Sequence, residues 1–256
     1  MLSLTNKSAL ITGGAKRIGR AIALALAAAG ADITITYRTS ADEAVETVDA
    51  IEQLGRRAFA IECNVRSEAS IRVAVTAAIA RHKRLDLLVN NAGLFETAPL
   101  DQLTLAQWDA VFETNTRGPF LVAREALPHL RAAREPGPPV TGPRRWGGGR
   151  IINIGSLGGL RPWSTHAHYC ASKAALHMLT QGMAKAWAPE VAVNCVAPGW
   201  IEMEEEKGTE AERFARKTPM QRNGTAEDVA QAVLYFATNA SFITGQILTV
   251  DGGLGL

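Results

Sequence analysis

Two residues capable of acid–base chemistry, Tyr169 and Lys173, lie four positions apart in a segment of helical composition. That spacing places both side chains on the same face of a helix. A tyrosine with its ordinary pKa of ~10 is a poor proton-transfer group at neutral pH. A nearby ammonium favours the phenolate and lowers that pKa. The spacing therefore predicts that Lys173 tunes Tyr169 for acid–base catalysis.

A glycine-rich turn near the N-terminus suggests phosphate binding. Thr12–Gly19 (TGGAKRIG) lies between an apolar run and a helical stretch. Gly13 and Gly14 permit a tight turn, and Gly19 allows helix and strand to pack closely. A helix N-terminus offers unpaired N–H groups and a partial positive charge to a pyrophosphate. The turn predicts a dinucleotide site, and the alternative is a plain strand–helix connection. The residues expected to contact the dinucleotide here are Gly13, Lys16, Arg17, Ile18 and Gly19.

The residues after the second apolar run distinguish NAD from NADP. An NAD site places an Asp or Glu there to accept from the ribose 2′-hydroxyl. This sequence instead has Tyr37, Arg38, Thr39 and Ser40. Arg38 can pair with a 2′-phosphate, and the two hydroxyls can donate to it. We therefore expect NADPH/NADP+ as the cofactor; if Arg38 is only a solvated surface charge, the choice stays open.

Short apolar runs alternate with helical stretches, which predicts parallel β-α-β units in one α/β domain spanning residues 1–256. The predicted strands are Ser8–Thr12, Ile33–Tyr37, Ala58–Glu62, Leu85–Asn90, Arg150–Gly155, Val191–Val196 and Ile247–Val250. The predicted helices are Arg17–Ala29, Ala41–Leu54, Glu68–Arg81, Leu103–Arg131 with a break at Gly118 and Pro119, Ala167–Trp187 and Ala226–Thr238. Residues 134–149, rich in Pro and Gly, predict a surface loop insertion.

Composition excludes several classes of protein. The chain has 256 residues, 47% of them hydrophobic and 20% charged, as in a folded globular protein. Its net charge of +2 gives no basic excess for nucleic-acid binding. The longest run of small apolar residues, Ala21–Ala29, is far shorter than the ~20 residues of a membrane span. Three cysteines without a Cys-x-x-Cys pair indicate buried, reduced thiols and no metal site. We expect a cytoplasmic protein.

The motifs together resemble the short-chain dehydrogenase/reductase family. The matching residues occur in the family's order and spacing along nearly the whole chain: Thr12–Gly13 through Gly19, Asn90–Asn91–Ala92–Gly93, Asn115, Ser156, Tyr169 with Lys173, and Pro198–Gly199. The resemblance implies a doubly wound Rossmann fold with a seven-stranded parallel sheet and helices on both faces. It also implies NADPH-dependent reduction of a carbonyl to an alcohol by hydride transfer.

The resemblance implies a role for each matching residue. Tyr169 protonates the carbonyl oxygen, Ser156 holds that oxygen, and Lys173 tunes Tyr169 and grips the nicotinamide ribose. Asn115 anchors the water chain that reprotonates the site. Further cofactor contacts are implied at Asn64, Val65, Asn91, Ala92, Gly93, Pro198, Gly199 and Ile201.

Two departures from the family pattern bear on function. Arg17 stands where most members have glycine, which together with Tyr37–Arg38 and Ser40 resembles the pteridine reductase branch. That branch usually has Asp at the position of Ser156, so reduction of a dihydropterin is kept as an alternative. Met203 stands where many relatives have a threonine that holds the nicotinamide amide. A catalytically silent nucleotide-binding protein on the same fold is a third reading, although such members usually lose Ser, Tyr or Lys.

The substrate side is less defined. We expect Leu157, Trp163, His166 and Trp200 to line the pocket, while His166 and His168 could equally serve ordinary packing. Glu204–Glu206 is interpreted as a solvated helical face. The substrate is a small carbonyl compound, either a 3-oxoacyl thioester of acyl carrier protein or coenzyme A, or another ketone. Arg131, Arg134 and Lys185 either form a basic patch for such a carrier or are scattered surface charges. The family resemblance implies a homotetramer, with contacts through residues 101–132, residues 167–187 and the C-terminal strand.

Overall fold

The computed structural model describes residues 3–133, 148–202, 209–238 and 242–256. Seven strands and eight α-helices alternate along these ranges. The strands are β1 (Ser8–Ile11), β2 (Asp32–Tyr37), β3 (Ala58–Glu62), β4 (Leu87–Asn90), β5 (Gly149–Ile154), β6 (Val191–Pro198) and β7 (Ile247–Val250). The helices are α1 (Arg17–Ala28), α2 (Ala41–Gln53), α3 (Glu68–His82), α4 (Leu105–Phe112), α5 (Gly118–Ala132), α6 (Ala167–Trp187), α7 (Thr209–Lys217) and α8 (Ala226–Thr238).

The strands form one parallel sheet in the order β3-β2-β1-β4-β5-β6-β7. The chain leaves β1 toward β2 and β3 on one side, and returns to place β4 on the other side of β1. At such a reversal the loops after neighbouring strands diverge and leave a crevice at the carboxyl edge of the sheet. The predicted fold class, a single-domain Rossmann fold with a seven-stranded parallel sheet, is confirmed.

Alternate residues of the central strands pack into two separate cores. Ile11 and Val89 face one core with α1 and α8, whereas Leu10 and Leu88 face the other with α3, α5 and α6. The period of two residues explains why these strands are apolar on both faces. Each face of the sheet is therefore fixed by buried helices, which makes its carboxyl edge a rigid platform.

The region between residues 103 and 132 differs from its prediction. The helix begins at Leu105, and a π-helical turn at Glu113–Arg117 joins α4 to α5. The predicted break at Gly118 and Pro119 is wrong, because Gly118 keeps helical backbone angles and Pro119 lies in the first turn of α5, where no backbone N–H is needed. The wider turn comes five residues earlier and carries Asn115.

Other differences are small. Strand β5 begins at Gly149, one residue inside the predicted loop, and residues 134–147 of that loop lie outside the described residues, including Arg134. Helix α7 has no counterpart in the prediction. Met203 and Glu204–Glu206 also lie outside the described residues. The three cysteines are buried and free, as predicted. Within the described ranges, no helix combines the length and apolarity that crossing a bilayer requires.

Candidate active site

A cleft of about 520 Å³ opens at the carboxyl edge of the sheet, above the point where the chain reverses between β1 and β4. Its size is that of a typical small-molecule site. Most of the site residues predicted from the sequence line it: Gly13, Lys16, Arg17, Ile18, Gly19, Tyr37, Arg38, Thr39, Ser40, Asn64, Val65, Asn91, Ala92, Gly93, Ser156, Trp163, Tyr169, Lys173, Pro198, Gly199, Trp200 and Ile201. Asn115, Leu157 and His166 lie beside the cleft rather than on its wall.

The glycine-rich turn is held by close backbone contact. A methyl group on Gly19 would lie 2.2 Å from the carbonyl oxygen of Gly13. The side chain of Asn91 donates to the carbonyl oxygens of Thr12 (3.0 Å) and Gly13 (2.8 Å). Gly13 itself has a positive φ of 63°. The turn therefore needs glycine at both positions, and the loop after β4 clamps it in place.

The start of α1 suits an anion. Helices α3 and α4 are capped by the side chains of Ser67 and Thr104, whereas no side chain caps α1 and no acidic residue lies in its first turn. The first N–H groups of a helix have no partner within the helix. A pyrophosphate bound there would accept from these groups, so the turn fits a dinucleotide cofactor.

An arginine that follows β2 places a positive charge at the cleft. Arg38 is exposed and makes no hydrogen bond or ion pair with any residue in the described part of the chain. Lys16, by contrast, is paired with Glu43 at 2.8 Å. The positive charge expected from Lys16 is thus partly neutralised, and Arg38 is the stronger candidate for a phosphate on the ribose.

Tyr169 and Lys173 share one face of α6, and Ser156 follows β5 at the same end of the cleft. The ammonium of Lys173 lies 5.8 Å from the centre of the Tyr169 ring and donates to the carbonyl oxygen of Ile154 at 2.7 Å. Burial lowers the pKa of Lys173 to about 8. The three side chains that the sequence singled out for catalysis therefore converge.

The pKa of Tyr169 moves in the direction opposite to the prediction. Burial raises it to about 12, and a hydrogen bond with the Ser156 side chain opposes the rise only partly. The phenolate loses hydration in the cleft, while Lys173 directs its ammonium to Ile154. The Tyr169 hydroxyl is consequently protonated across neutral pH, which is the form that donates a proton.

Asn115 lies in the π-helical turn and is fully buried. Its amide accepts from the backbone N–H of Leu94 at 2.7 Å, and donates to the Leu94 carbonyl at 2.9 Å and to Ser172 at 3.1 Å. These bonds join α6 to the segment after β4. Whether Asn115 also anchors a water chain stays a prediction.

Only some of the residues predicted to contact substrate line the cleft. Trp163 and Trp200 line the cleft, and Trp200 stacks on Phe214 of α7 at 4.1 Å. Leu157 is buried beneath the cleft, and His168 is fully buried on α6, which favours the packing interpretation for His168. His166 stacks behind a cleft residue that the sequence did not single out, Phe95.

Phe95 and Leu94 are the functional candidates that sequence reasoning missed. Both directly follow the Asn-Asn-Ala-Gly motif, so their position after a central strand was the available signal. Of the three residues suggested for a basic patch, the two that the structure describes, Arg131 and Lys185, lie away from the cleft. Lys185 lies 12 residues after Lys173 on α6, about 18 Å along the helix axis. Arg131 is in the last turn of α5, roughly 20 Å from the end that carries the π-helical turn.

Comparison with known proteins agrees with this geometry. Residues 13–255 match the family model described as Enoyl-(Acyl carrier protein) reductase. A short-chain dehydrogenase/reductase from Cladobotryum sp is 36% identical, with 98% of this chain and 97% of the relative covered. The chain belongs to the short-chain dehydrogenase/reductase family.

Two further relatives extend the comparison. A 3-oxoacyl-[acyl-carrier-protein] reductase from Synechocystis sp. is 35% identical, with 99% of each chain covered. The crystal structure of a short chain dehydrogenase from Burkholderia cenocepacia in complex with NADP is 39% identical, with a TM-score of 0.89 and 99% of each chain covered. The chain is an oxidoreductase of the short-chain dehydrogenase/reductase family. In the described part of the chain, no group of three or more His, Cys, Asp or Glu side chains is arranged to hold a metal ion.

Proposed function

We propose that this protein reduces a carbonyl group to an alcohol with NADPH. One observation carries the proposal: a single cleft holds Arg38, which has no partner among the described residues, at one end and Ser156, Tyr169 and Lys173 at the other. A silent nucleotide-binding protein would not need the second group. The NADP complex of the Burkholderia cenocepacia relative supports the choice of cofactor.

The residues present fit that cofactor. Gly13, Gly19 and the uncapped start of α1 would hold the pyrophosphate, Arg38 the 2′-phosphate, and Lys173 the nicotinamide ribose. NADPH would supply a hydride to the carbonyl carbon. The chain supplies the proton, because the Tyr169 hydroxyl is protonated at neutral pH.

Ser156 and Lys173 support that proton transfer. The Ser156 hydroxyl accepts from the backbone N–H of Gly158 at 3.0 Å, which orients it. Its own proton, which in this structure is directed to the Tyr169 oxygen, would pass to the carbonyl oxygen that Tyr169 protonates. Lys173 interacts with an alkoxide or phenolate as charge develops, and its lowered pKa suits proton relay near neutral pH. Asn115 holds the segment after β4 against α6.

The test is the loss of reduced-nicotinamide absorbance with purified protein and three carbonyl or imine substrates: acetoacetyl-coenzyme A, acetophenone and a dihydropterin. NADPH oxidation with at least one ketone or thioester, and much slower oxidation of NADH, is the expected result. Oxidation with neither coenzyme on any substrate contradicts the proposal. Turnover of the dihydropterin alone would favour the alternative suggested by Arg17, which lines the cleft with a left-handed φ of 52°.

We also propose that the protein is a homotetramer. Helices α4, α5 and α6 carry large exposed apolar side chains: Leu105, Trp108, Phe120 and Met178. Leu248 on the edge strand β7 is also exposed. Such faces are typical of subunit contacts. Light scattering should give four times the chain mass of 27.3 kDa, and a monomer at micromolar concentration would contradict this.

A further inference from the structure

The substrate half of the cleft differs chemically from the cofactor half. Four charged side chains line the described part of the cleft: Lys16 and Arg17 at the glycine-rich turn, Arg38 after β2, and, alone in the substrate half, Lys173. Its ammonium already donates to the Ile154 carbonyl. Beyond the Lys173 ammonium, which the proposed reduction uses, the described part of this half has no further cation for a substrate carboxylate or phosphate and no carboxylate for an amine. It suits an uncharged group.

Aromatic rings surround the proton donor. Phe95 meets the Tyr169 ring edge-on, with ring centres 4.8 Å apart and planes at 88°. Trp163 lies nearly parallel to Tyr169, with centres 6.1 Å apart and planes at 17°. Phe95 and Trp163 are perpendicular to each other. Phe95, Trp163 and Tyr169 line the same cleft, so a carbonyl compound bound at Tyr169 meets these rings. We call Phe95, Trp163, His166 and Tyr169 the aromatic wall.

The aromatic wall is held in place although Phe95 is 55% exposed. The His166 ring stacks on Phe95 with centres 4.5 Å apart and planes at 16°. Hydrogen bonds of 2.9 Å join the two ring nitrogens of His166 to the hydroxyls of Thr97 and Thr165. A large apolar ring that is exposed yet fixed costs little to order on binding. Phe95 therefore offers an exposed ring of fixed orientation on which a planar group of the substrate can stack.

A further aromatic pair stands at the cleft. Trp200 lines it and stacks on Phe214 at 4.1 Å with planes at 8°. This stack fixes the orientation of the Trp200 ring, as His166 fixes that of Phe95. Aromatic rings prefer offset-stacked or edge-to-face contacts with other rings and gain energy beyond simple burial. A flexible acyl chain would gain only the burial.

We propose that the preferred substrate is an uncharged ketone with an aromatic ring attached to the carbonyl carbon, recognised by the aromatic wall. This inference rests on the proposed reductase function and narrows its substrate class. The placement of Arg131 and Lys185 far from the cleft of their own subunit agrees with it, because a carrier-bound thioester gains from basic residues at the pocket mouth.

The test compares acetophenone with cyclohexyl methyl ketone, which has the same skeleton without aromaticity. Because the two differ in intrinsic reactivity, the informative quantity is how their kcat/KM ratio changes between wild type and Phe95→Leu. Leucine keeps an apolar side chain and removes only the ring. We expect the ratio to fall about three- to tenfold, the range of aromatic-pair contributions. Phe242→Leu, at a fully exposed phenylalanine outside the cleft lining, is the matched control and should leave it unchanged.

An unchanged ratio in Phe95→Leu would overturn the inference. Failure of the reductase proposal itself would appear as no turnover of any of these compounds. In that case, a measurement of ligand binding still tests the aromatic wall. In the presence of NADP+, calorimetry should show benzamide binding more tightly than cyclohexanecarboxamide, with the difference lost in Phe95→Leu. Equal affinities of the wild type for the two amides would also overturn the inference.

Discussion

Replacing Gly19 by alanine tests the close contact that shapes the cofactor turn. The new methyl carbon would lie 2.2 Å from the Gly13 carbonyl oxygen and 2.6 Å from the Asn91 amide nitrogen. Both atoms belong to the clamp between the turn and the loop after β4, so the methyl group cannot fit without moving α1. Overpacking of this kind costs about 1–3 kcal/mol. Helix propensity returns at most about 1 kcal/mol of that, so we expect a net loss of about 1 kcal/mol.

Gly182→Ala is the matched control. Gly182 lies inside α6, is exposed, and has no atom within 4 Å of the position of a methyl group. The same substitution there should stabilise the fold by about 0.5–1 kcal/mol. Urea unfolding at a fixed protein concentration would measure both variants, and fluorescence titration their affinity for NADPH. Gly19→Ala should lose stability and affinity together. Equal stability of the two variants would refute the reasoning about the turn.

Three more substitutions probe separate parts of the account. Arg38→Ala should weaken NADPH binding about 10- to 100-fold and leave NADH unchanged; an equal loss for both would contradict a 2′-phosphate contact. Gly155→Ala should destabilise the fold by about 2 kcal/mol, because its methyl carbon would lie 2.3 Å from Nε2 of His177 and 2.7 Å from Sγ of Cys195; in urea unfolding the same substitution should cost less in a His177→Ala background than in wild type, and an equal cost would contradict the contact with His177. Asp228→Asn should make the urea midpoint depend less on pH between about pH 4 and pH 2, because the hydrogen bond from Arg222 lowers the pKa of Asp228 to about 2. Its carboxylate stabilises the fold above the unfolded-state pKa, and this contribution is lost as the pH falls; a midpoint curve identical to that of wild type would contradict it.

The alternation of elements could be predicted because each strand and helix carries its own local signal. Strands β3 and β7 and helices α6 and α8 have the predicted bounds. Apolar runs and the glycines that end helices suffice where the chain follows one pattern throughout. The right-handed connections between parallel strands limit the possible strand orders without selecting the observed one.

Helix α7 is missing from the prediction, although Thr209–Lys217 consists mostly of strong helix formers and its local signal was available. Thr209–Lys217 is mostly polar, and its Phe214 stacks on Trp200. The π-helical turn was missed for a different reason. Glycine and proline at 118 and 119 indicated a break there, but proline in the first turn of a helix is compatible with helical structure.

The proposed catalytic residues could be located from the spacing of their motifs, but the environment that sets their pKa values could not. The sequence shows that Lys173 and Tyr169 share a helix face. It does not show that the Ile154 carbonyl accepts a hydrogen bond from the Lys173 ammonium, or that burial raises the pKa of Tyr169. Phe95 was missed because its contact with Tyr169 exists only after β4 and α6 are brought together.

The most direct test of the central claim is a single-turnover measurement with Tyr169→Phe, NADPH and a ketone that the wild type reduces. The substitution removes the hydroxyl that donates the proton and keeps the ring that contacts Phe95. General acid catalysis contributes about 10²–10⁴-fold. We predict at least about a hundredfold slower NADPH oxidation, with NADPH affinity unchanged by fluorescence titration. A near-normal rate at unchanged affinity would show that Tyr169 is not the proton donor.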